Sequence, residues 1–405
     1  MEYIEKGSKL YSKTILSLFL GSFVTFAVMY SVQPLISTFS KEFDVSPARA
    51  SLSLSLTTGL LAVSMILVSA LSDAVGRKKI MVASLLFSSI CAAVTAFSQN
   101  FWFLLTARAI MGIALAGFPS IAMTYINEEF HPKNLGTAMG MYVSGTSIGG
   151  MVSRVVVDAL TDWFSWHVAL SAIAFLSLLV SAWFWKSLPD SRHFHAQKAS
   201  LRKLFSSLGQ SLRDPGLLCL YSLGFLLMGS FVTLYNYIDY PLMGEPYHLS
   251  QTIVGLIFFI YLVGTFSSTF MGRMADRFGK PKALVASIGI MLLGGIVTIN
   301  SILAVKLMGV ALFTFGFFGG HSIASGWVGQ RALNFKAQAS SLYLLFYYTG
   351  SSIVGTTGGT FWSRFGWIGV IGLIASLLVL SLIIAEILPL LKIKRKPDTT
   401  HHKGY

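Results

Sequence analysis

Twelve long stretches without a charged side chain dominate this sequence, and they limit its fold more than any other feature. A membrane-spanning helix needs about 20 consecutive apolar residues, and each stretch supplies roughly that number. They cover residues 14–40, 50–72, 80–107, 109–127, 134–153, 163–185, 215–238, 246–272, 283–305, 307–330, 337–363 and 365–385. The pattern predicts an all-α integral membrane protein with twelve transmembrane helices.

The composition excludes a soluble or disordered protein, because 54% of the residues are hydrophobic and only 11% are charged. A soluble domain carries about 25% charged residues. The longest segment between spans, residues 186–214, is too short for a folded catalytic domain. The sequence therefore predicts no enzyme, and it divides into an N-terminal six-helix bundle (1–187), a cytoplasmic linker (188–214), a C-terminal six-helix bundle (215–391) and a basic cytoplasmic tail (392–405).

The distribution of basic residues predicts the orientation. If both termini are cytoplasmic, 24 of the 30 Lys and Arg residues fall on the inner side and only four fall in outer loops. Cytoplasmic loops of membrane proteins hold this excess, so we expect a multi-pass protein of a bacterial cell membrane. The net charge of +14 follows from these short loops and does not indicate nucleic-acid binding.

No cofactor or metal site is predicted. Cys91 and Cys219, the two cysteines, both lie within apolar stretches, where neither a disulfide framework nor a metal-ligand spacing can be recognised. The chain also contains no Walker-type Gly-Lys-Ser/Thr motif, so ATP is not expected as an energy source.

The second half of the sequence repeats the first. Trp166 and Trp367 are 201 positions apart, and Gly145 and Gly350 are 205 apart. The loops after spans two and eight both place an aspartate, then a glycine three residues on, then basic residues. A constant offset across six spans indicates two parallel halves, an architecture of transporters that bind their substrate between the halves near mid-membrane.

These loops resemble the Gly-x-x-x-Asp-Arg/Lys-x-Gly-Arg/Lys-Arg/Lys signature of the major facilitator superfamily, and the resemblance extends over the whole chain. The residues that carry it are Asp73, Gly76 and Arg77 in the first half, and Gly272, Asp276, Arg277, Gly279 and Lys280 in the second. The first half departs from the signature at Ser69 and Ala74. The resemblance implies gating loops; the alternative is a solvated positive loop.

Two further motifs resemble those of the same family. Arg108 in span four is similar to the arginine that the family associates with proton coupling; the alternative is a structural hydrogen bond to helix carbonyls. Gly145, Gly149 and Gly150 in span five resemble the glycine motif of the antiporter branches, with Thr146 in place of its proline. Close helix packing explains such small residues equally well.

Several polar residues within or beside the spans are candidates for coupling or substrate binding. Arg154 is followed by Asp158 four positions later on one helix, so these two side chains are able to pair. Spans one and seven each place tyrosine and an amide before a proline at their outer ends. The remaining candidates are Tyr30, Asn236, Asp239, His321 and Tyr347; structural packing is the alternative for each.

The resemblance implies a secondary transporter that works by alternating access, closest to the bacterial efflux branch that includes arabinose and drug exporters. Proton-coupled export of small organic solutes is the leading hypothesis. The alternatives are uptake of a small organic anion, with Arg108 as its anchor, and a non-transporting membrane sensor. The expected partners are a small-molecule substrate, protons and the lipid bilayer, and we expect a monomer.

Overall fold

The structure, a computed structural model, describes residues 3–5, 7–131, 134–194, 208–332 and 336–391. Within these ranges the chain is helical, with one isolated β-bridge between Ile4 and Phe130. The spanning helices are α1 (Lys9–Tyr30), α2 (Pro47–Val75), α3 (Arg77–Ala96), α4 (Phe101–Leu115), α5 (Leu135–Trp163), α6 (Trp166–Ser187), α7 (Pro215–Tyr237), α8 (Tyr261–Phe278), α9 (Lys280–Val297), α10 (Leu303–Arg331), and α11 and α12, the two arms of Lys336–Ile387.

The predicted count of twelve helices is confirmed. Among the described residues, ten helices are long and apolar enough to cross a membrane by themselves. One of them bends at Gly366, where φ is +60°, and so supplies both α11 and α12. The twelfth is α5, which is less apolar because it is rich in Gly, Ser and Thr and carries Arg154 and Asp158.

The predicted domain boundaries remain a prediction. Residues 195–207 of the expected linker and the whole tail, 392–405, lie outside the described residues.

The turns between helices follow from residues that cap helix ends. The side chains of Ser46, Asn100 and Ser165 accept hydrogen bonds from the backbone N–H three residues on, at 3.3, 2.8 and 3.3 Å. Such caps satisfy N–H groups that have no partner within the helix. Together with the loop 244–250, these three turns define what we call the far end of the bundle. The termini and the loops at Gly76 and Gly279 define the basic end.

The internal repeat is confirmed by backbone geometry at equivalent positions. Gly76 ends α2 with φ of +113°, and Gly279 ends α8 with φ of +91°. Only glycine adopts this conformation without strain, and both glycines belong to the loop signature named above. A second pair of equivalent glycines makes equivalent helix contacts. Gly145 packs against the backbone of α1, and Gly350 packs against the backbone of α7.

Short breaks at the far end interrupt α1 and α7. After α1 the chain passes through a 3₁₀ turn, Gln33–Leu35, before the short helix Ile36–Glu42. Pro34 lacks the N–H that a continuous helix requires. After α7 the short helix Asp239–Met243 follows. These breaks place polar side chains against the other half of the molecule.

The two halves contact each other through α2 with α11 and through α5 with the segment that precedes α8. Hydrogen bonds between the halves join Gln33 to Asn236, Gln251 to the carbonyl of Pro34, Thr252 to Asp162, and Ser55 and Thr58 to Ser352. All of them lie between mid-depth and the far end.

Toward the basic end the interface is open. No hydrogen bond or ion pair joins the two halves there within the described ranges. A Cβ built on Gly136 or Gly140 of α5 would meet no atom within 4 Å. In contrast, a Cβ on Gly359 of α11 would lie 2.4 Å from the backbone nitrogen of Ala48 at the far end. The conformation is therefore closed at the far end and open at the basic end.

Candidate functional site

Arg154 is the central cation of the far-end interface. It lies on α5 and is only 3% exposed. Its Nε donates to Gln33 Oε1 at 2.7 Å, and its Nη1 donates to the carbonyl oxygen of Gly150 at 2.6 Å. Among the described residues it forms no salt bridge with a carboxylate and no hydrogen bond from Nη2. This guanidinium therefore retains unused donor capacity.

Aromatic rings from both halves surround this guanidinium. The distances from Arg154 Cζ to the ring centroids are 4.2 Å for Tyr30, 5.1 Å for Phe258 and 5.1 Å for Tyr261. A cation this close to an aromatic face is stabilised by the ring quadrupole. Tyr30 belongs to α1, whereas the other two rings belong to the second half, so Arg154 helps to hold the halves together.

Gln33 and Asn236 connect the halves directly. Gln33 Nε2 donates to Asn236 Oδ1 at 2.8 Å, while Gln33 Oε1 accepts from Arg154. Both amides are fully buried. The Nδ2 group of Asn236 has no hydrogen-bond partner among the described residues. A chain of polar contacts thus runs from α5 through the α1 break to the end of α7.

Two buried carboxylates flank this chain. Asp158 on α5 is 1% exposed, and Asp239 beyond the end of α7 is 2% exposed. Asp158 packs against the short helix Gln251–Gly255, and the helix that begins at Asp239 contacts that same helix, so the two carboxylates lie in one region of the interface. Both oxygens of Asp158 and Oδ1 of Asp239 lack a hydrogen-bond partner within the described part of the chain. Unsatisfied buried carboxylate oxygens are costly, so the pair requires a functional explanation.

The spacing of Arg154 and Asp158 suggested an ion pair along α5, but the structure does not form it. The guanidinium is directed toward Gln33 and the aromatic rings instead. Asp158 packs against the neighbouring half, where a Cβ on Gly255 would lie 2.6 Å from the Asp158 Cβ atom. The Gln251 side chain lies beside Asp158 but donates to the Pro34 carbonyl at 3.4 Å.

Arg108 lies apart from this site and is fully buried within the first half. It donates from Nε to the Ser53 carbonyl at 2.8 Å, and from Nη1 and Nη2 to the carbonyls of Val28 and Met29 at 3.0 and 2.6 Å. These bonds tie α4 to α1 and α2. The geometry favours the structural alternative, and a coupling role for Arg108 stays a prediction.

His321 belongs to an aromatic cluster within the second half. Its Nδ1 lies 2.9 Å from the Tyr343 hydroxyl, and its ring is 4.7 Å from that of Tyr347. Phe317 stacks on Phe231 at 3.9 Å in the same cluster. His321 and Tyr347 are partly exposed. This arrangement offers apolar faces with a few polar groups, as small-molecule binding sites commonly do.

The glycines of α5 allow it to approach α1 closely. A Cβ on Gly145 would lie 2.4 Å from the Phe19 carbonyl oxygen, and a Cβ on Gly149 would lie 2.2 Å from that of Phe23. Any larger residue would push the helices apart. The packing alternative accounts for these two glycines. Gly150 lies on the Arg154 side, and its carbonyl oxygen accepts from that arginine.

The first-half loop at the basic end forms a network of ion pairs. Arg77 contacts Asp73 at 2.5 Å and Glu128 at 2.8 Å. Glu128 lies near the end of the helix Pro119–Glu129, which follows α4. Its Nη1 also donates to the Ser72 hydroxyl at 2.7 Å. This loop is well connected although its sequence departs from the family signature. Glu128 was not predicted, because only the fold brings residues 51 positions apart together.

The second-half loop matches the signature better but is less connected. Asp276 forms no salt bridge within the described ranges and interacts electrostatically with Lys280. The guanidinium of Arg277 lies 5.1 Å from the ring of Phe278. A Cβ on Gly272 would meet nothing within 4 Å. In this conformation, which is open at the basic end, these residues form no hydrogen bond or ion pair with the described residues of the first half.

The structure thus brings together four of the predicted candidates, Tyr30, Arg154, Asn236 and Asp239. Arg108 lies elsewhere, within the first half. His321 and Tyr347 belong to an aromatic cluster that continues through Phe317 and Phe231 to Tyr261, one of the rings around Arg154. Gln33 and Asp158 were not proposed as site residues. The sequence did contain one signal for Gln33, because it lies 203 positions before Asn236, as Asp73 lies 203 positions before Asp276.

Two six-helix halves that meet over a buried polar cluster, and open at one end, define a membrane transporter and not an enzyme. Comparison with known proteins agrees with this class. The family profile described as Major Facilitator Superfamily matches residues 18–240 and 231–404. The chain belongs to the major facilitator superfamily.

Bacterial relatives resemble the chain over nearly its whole length. The MFS-type transporter YybF of Bacillus subtilis is 51% identical over 404 residues, which cover 100% of both chains. The inner membrane transport protein YnfM of Escherichia coli is 45% identical, over 95% of this chain and 92% of its own length. Among solved structures, a bacterial homologue of the lysosomal transporter Spinster, in an inward-facing and occupied conformation, superposes with a TM-score of 0.77 at 15% identity, covering 96% of this chain and 100% of that one.

Proposed function

We propose that this transporter exports small organic solutes from the bacterial cytoplasm in exchange for protons. The observation that carries the proposal is the asymmetric contact between the halves, which are joined at the far end and separate at the basic end. A protein of this kind exposes its central site to one side at a time. Breaking the far-end contacts and forming basic-end contacts would expose the site to the other side.

We assign the basic end to the cytoplasm, because 24 of the 30 Lys and Arg residues lie on that side. Both termini are then cytoplasmic, and the present conformation faces inward. The word "inner membrane" in the name of YnfM supports a bacterial cell membrane. We take the functional unit to be the monomer, since each chain contains both halves.

The chemistry of the interior supports organic solutes as substrates. His321, Tyr347 and the rings around Arg154 offer flat apolar faces together with hydroxyl, imidazole and guanidinium groups. A relative named as a chloramphenicol resistance protein, CraA of Acinetobacter baumannii, is 25% identical over 309 residues. Its name supports export. Membership of the sugar and drug efflux branch stays a prediction, because YybF and YnfM carry only the general name of transporter.

Uptake of a small organic anion is the second candidate, and Arg154 rather than Arg108 favours it. Arg108 donates to helix carbonyls, whereas Nη2 of Arg154, beside the aromatic rings, has no hydrogen-bond partner among the described residues. A sialic acid transporter, NanX of Escherichia coli, is 26% identical over 230 residues. A carboxylate could bind Nη2 while an apolar part of the molecule contacts the rings.

Flux measurements in proteoliposomes separate these functions. Purified protein is reconstituted, a pH gradient of either sign is imposed, and accumulation is measured for chloramphenicol, a sugar panel and aromatic carboxylates. Export by exchange requires that solute moves against the direction of proton flow. Movement in the same direction, confined to carboxylates and lost in Arg154→Gln, would establish anion uptake. No gradient-driven flux with any probe would support the non-transporting sensor.

A further inference from the structure

We propose that Asp158 and Asp239 form one shared proton site, which keeps the far end of the interface closed while it is protonated. The proposal rests on the proton coupling proposed above and identifies the groups that carry the proton. The two residues belong to opposite halves of the repeat, so their interaction reports directly whether the halves are in contact.

The geometry of the pair carries the argument. Both side chains are buried almost completely, at 1% and 2% exposure. Three of their four oxygens have no hydrogen-bond donor among the described residues. Asp158 packs against Gly255 of the second half, where any side chain larger than glycine would collide with it. The fold therefore holds an acidic side chain in the closed interface, where the neutral amide of Gln251 lies beside it.

The charged and titratable neighbours of the pair are few. On α5, Arg154 lies one turn before Asp158, and the exposed Asp162 lies one turn after it and accepts from Thr252 of the second half. Gln251, on the segment before α8, is neutral. On the α7 side, Tyr240 is the phenol beside Asp239.

Counting these charges shows what the cluster lacks. Arg154 contributes one positive charge and the two buried aspartates contribute two negative charges when ionised. Asp162 is exposed, so water screens it. An uncompensated charge in a buried site is costly, and one bound proton makes the cluster neutral. The stoichiometry expected from this site is one proton in each transport cycle.

Protonation has a direct mechanical consequence at the interface. With one proton present, one of the two aspartates is neutral, so the repulsion between two carboxylates across the interface disappears. Without the proton, two like charges face each other across the interface and push the halves apart. The proton enters from water on the outside when the far end is open. Only the carboxyl O–H bond forms and breaks.

Arg154 provides a way to release the proton to the inside. It lies four positions before Asp158 on α5, a spacing at which the two side chains are able to pair. In the present conformation its Nε is bound to Gln33. A solute that takes the Gln33 amide as a partner would free the guanidinium to bind Asp158. The resulting salt bridge would favour the ionised carboxylate and expel the proton toward the basic end.

The test measures how far-end closure depends on pH, without any substrate. Spin labels are attached through Phe164→Cys and Glu245→Cys, at exposed positions on opposite halves of the far end. Cys91→Ala and Cys219→Ala remove the native thiols. The distance between the labels is measured in nanodiscs from mildly acid to mildly alkaline pH. We expect a short distance at acid pH and a growing population of longer distances as the pH rises.

The decisive variants replace the carboxyl groups with amides. In the double variant Asp158→Asn/Asp239→Asn the distance should stay short at every pH, because no ionised pair can form. Each single variant should open at higher pH only weakly, since a lone carboxylate meets no like charge. Asp162→Asn is the matched control, because it removes an exposed carboxylate of the same helix but keeps an acceptor for Thr252. It should behave as the unmodified protein.

Two outcomes would overturn the proposal: pH-independent distances in the unmodified protein, or a pH response that survives in the double variant. Gradient-driven flux in proteoliposomes separates this failure from failure of the proposed function. If the pH gradient drives solute flux in both the unmodified protein and the double variant, transport is coupled to protons through another residue. His321 is then the next residue to replace. If neither is driven and the unmodified protein shows no pH response, the proton-coupled function itself is wrong.

Discussion

Gln33 and Asn236 lie 203 positions apart in the sequence and form a hydrogen bond of 2.8 Å across the interface between the halves. The same offset relates the aspartates of the two loops at the basic end. The contact therefore joins equivalent positions of the repeat, each close to the point where its helix breaks. The Gln33 side chain also accepts a hydrogen bond from Arg154, so a single amide connects this cation to the opposite half.

Gln33→Ala should weaken closure of the far end. The substitution removes the acceptor for Arg154 and the donor to Asn236, and each lost buried hydrogen bond costs about 1–3 kcal/mol. The labels at positions 164 and 245 should show more long distances at acid pH than in the unmodified protein. Asn236→Ala should act in the same direction, because it removes the oxygen that accepts from Gln33. Equal behaviour of all these proteins would mean that the hydrogen bond does not stabilise closure.

Gly149→Ala should destabilise the packing of α5 on α1, because the new Cβ would lie 2.2 Å from the Phe23 carbonyl oxygen. Overpacking of this kind costs about 1–3 kcal/mol, and the thermal unfolding temperature in detergent should fall. Gly140→Ala on the same helix is the control, since its Cβ would meet nothing within 4 Å. It should leave the temperature unchanged or raise it slightly. A fall of the same size in both variants would contradict the packing account.

Arg108→Ala should lower the stability of the first half more than it changes coupling. The three helix carbonyls that accept from Arg108 would lose their donors in the interior. We expect a lower unfolding temperature and a reduced amount of protein, while the protein that remains keeps its dependence on the pH gradient. The unfolding temperature of Arg108→Lys should lie between those of the unmodified protein and Arg108→Ala, because lysine retains the charge but not the fork of donors. Normal stability with lost gradient dependence would instead assign the coupling role to Arg108.

The twelve helices and their repeat could be predicted, because helix length and the offset between halves are properties of the sequence itself. Close contacts between helices could not. The spacing of Arg154 and Asp158 suggested an ion pair, but the helix rotation turns the guanidinium toward Gln33. Asp239 was a candidate from its position alone. Asp158 was predicted only as a possible partner of Arg154, and its place in the interface became clear only when α5 was packed against the second half.

Glu128→Gln should impair transport while leaving membrane insertion intact. Glu128 accepts from Arg77 through both oxygens, at 3.1 and 2.8 Å, so the amide removes an ion pair but no apolar contact. Asp73→Asn should act in the same direction. We expect a several-fold loss of flux at normal protein levels in the membrane.

Asp276→Asn tests the equivalent loop of the second half. Because Asp276 forms no salt bridge in the described part of this conformation, which is open at the basic end, the substitution should leave the unfolding temperature of the protein unchanged. It should slow the change to the state that is open at the far end. Unimpaired flux in Glu128→Gln, Asp73→Asn and Asp276→Asn would show that these loops serve only to orient the protein.

The exchange of solute for protons is the central claim, and its most direct test is the proton movement itself. Proteoliposomes are loaded with a pH-sensitive dye, a solute identified in the flux screen is added on the side of the basic end, and the lumenal pH is followed. The account predicts proton movement opposite to solute movement, at about one proton for each solute, and its loss in Asp158→Asn/Asp239→Asn with folding retained. Solute transport without any change in lumenal pH, or with protons moving in the same direction, would contradict it.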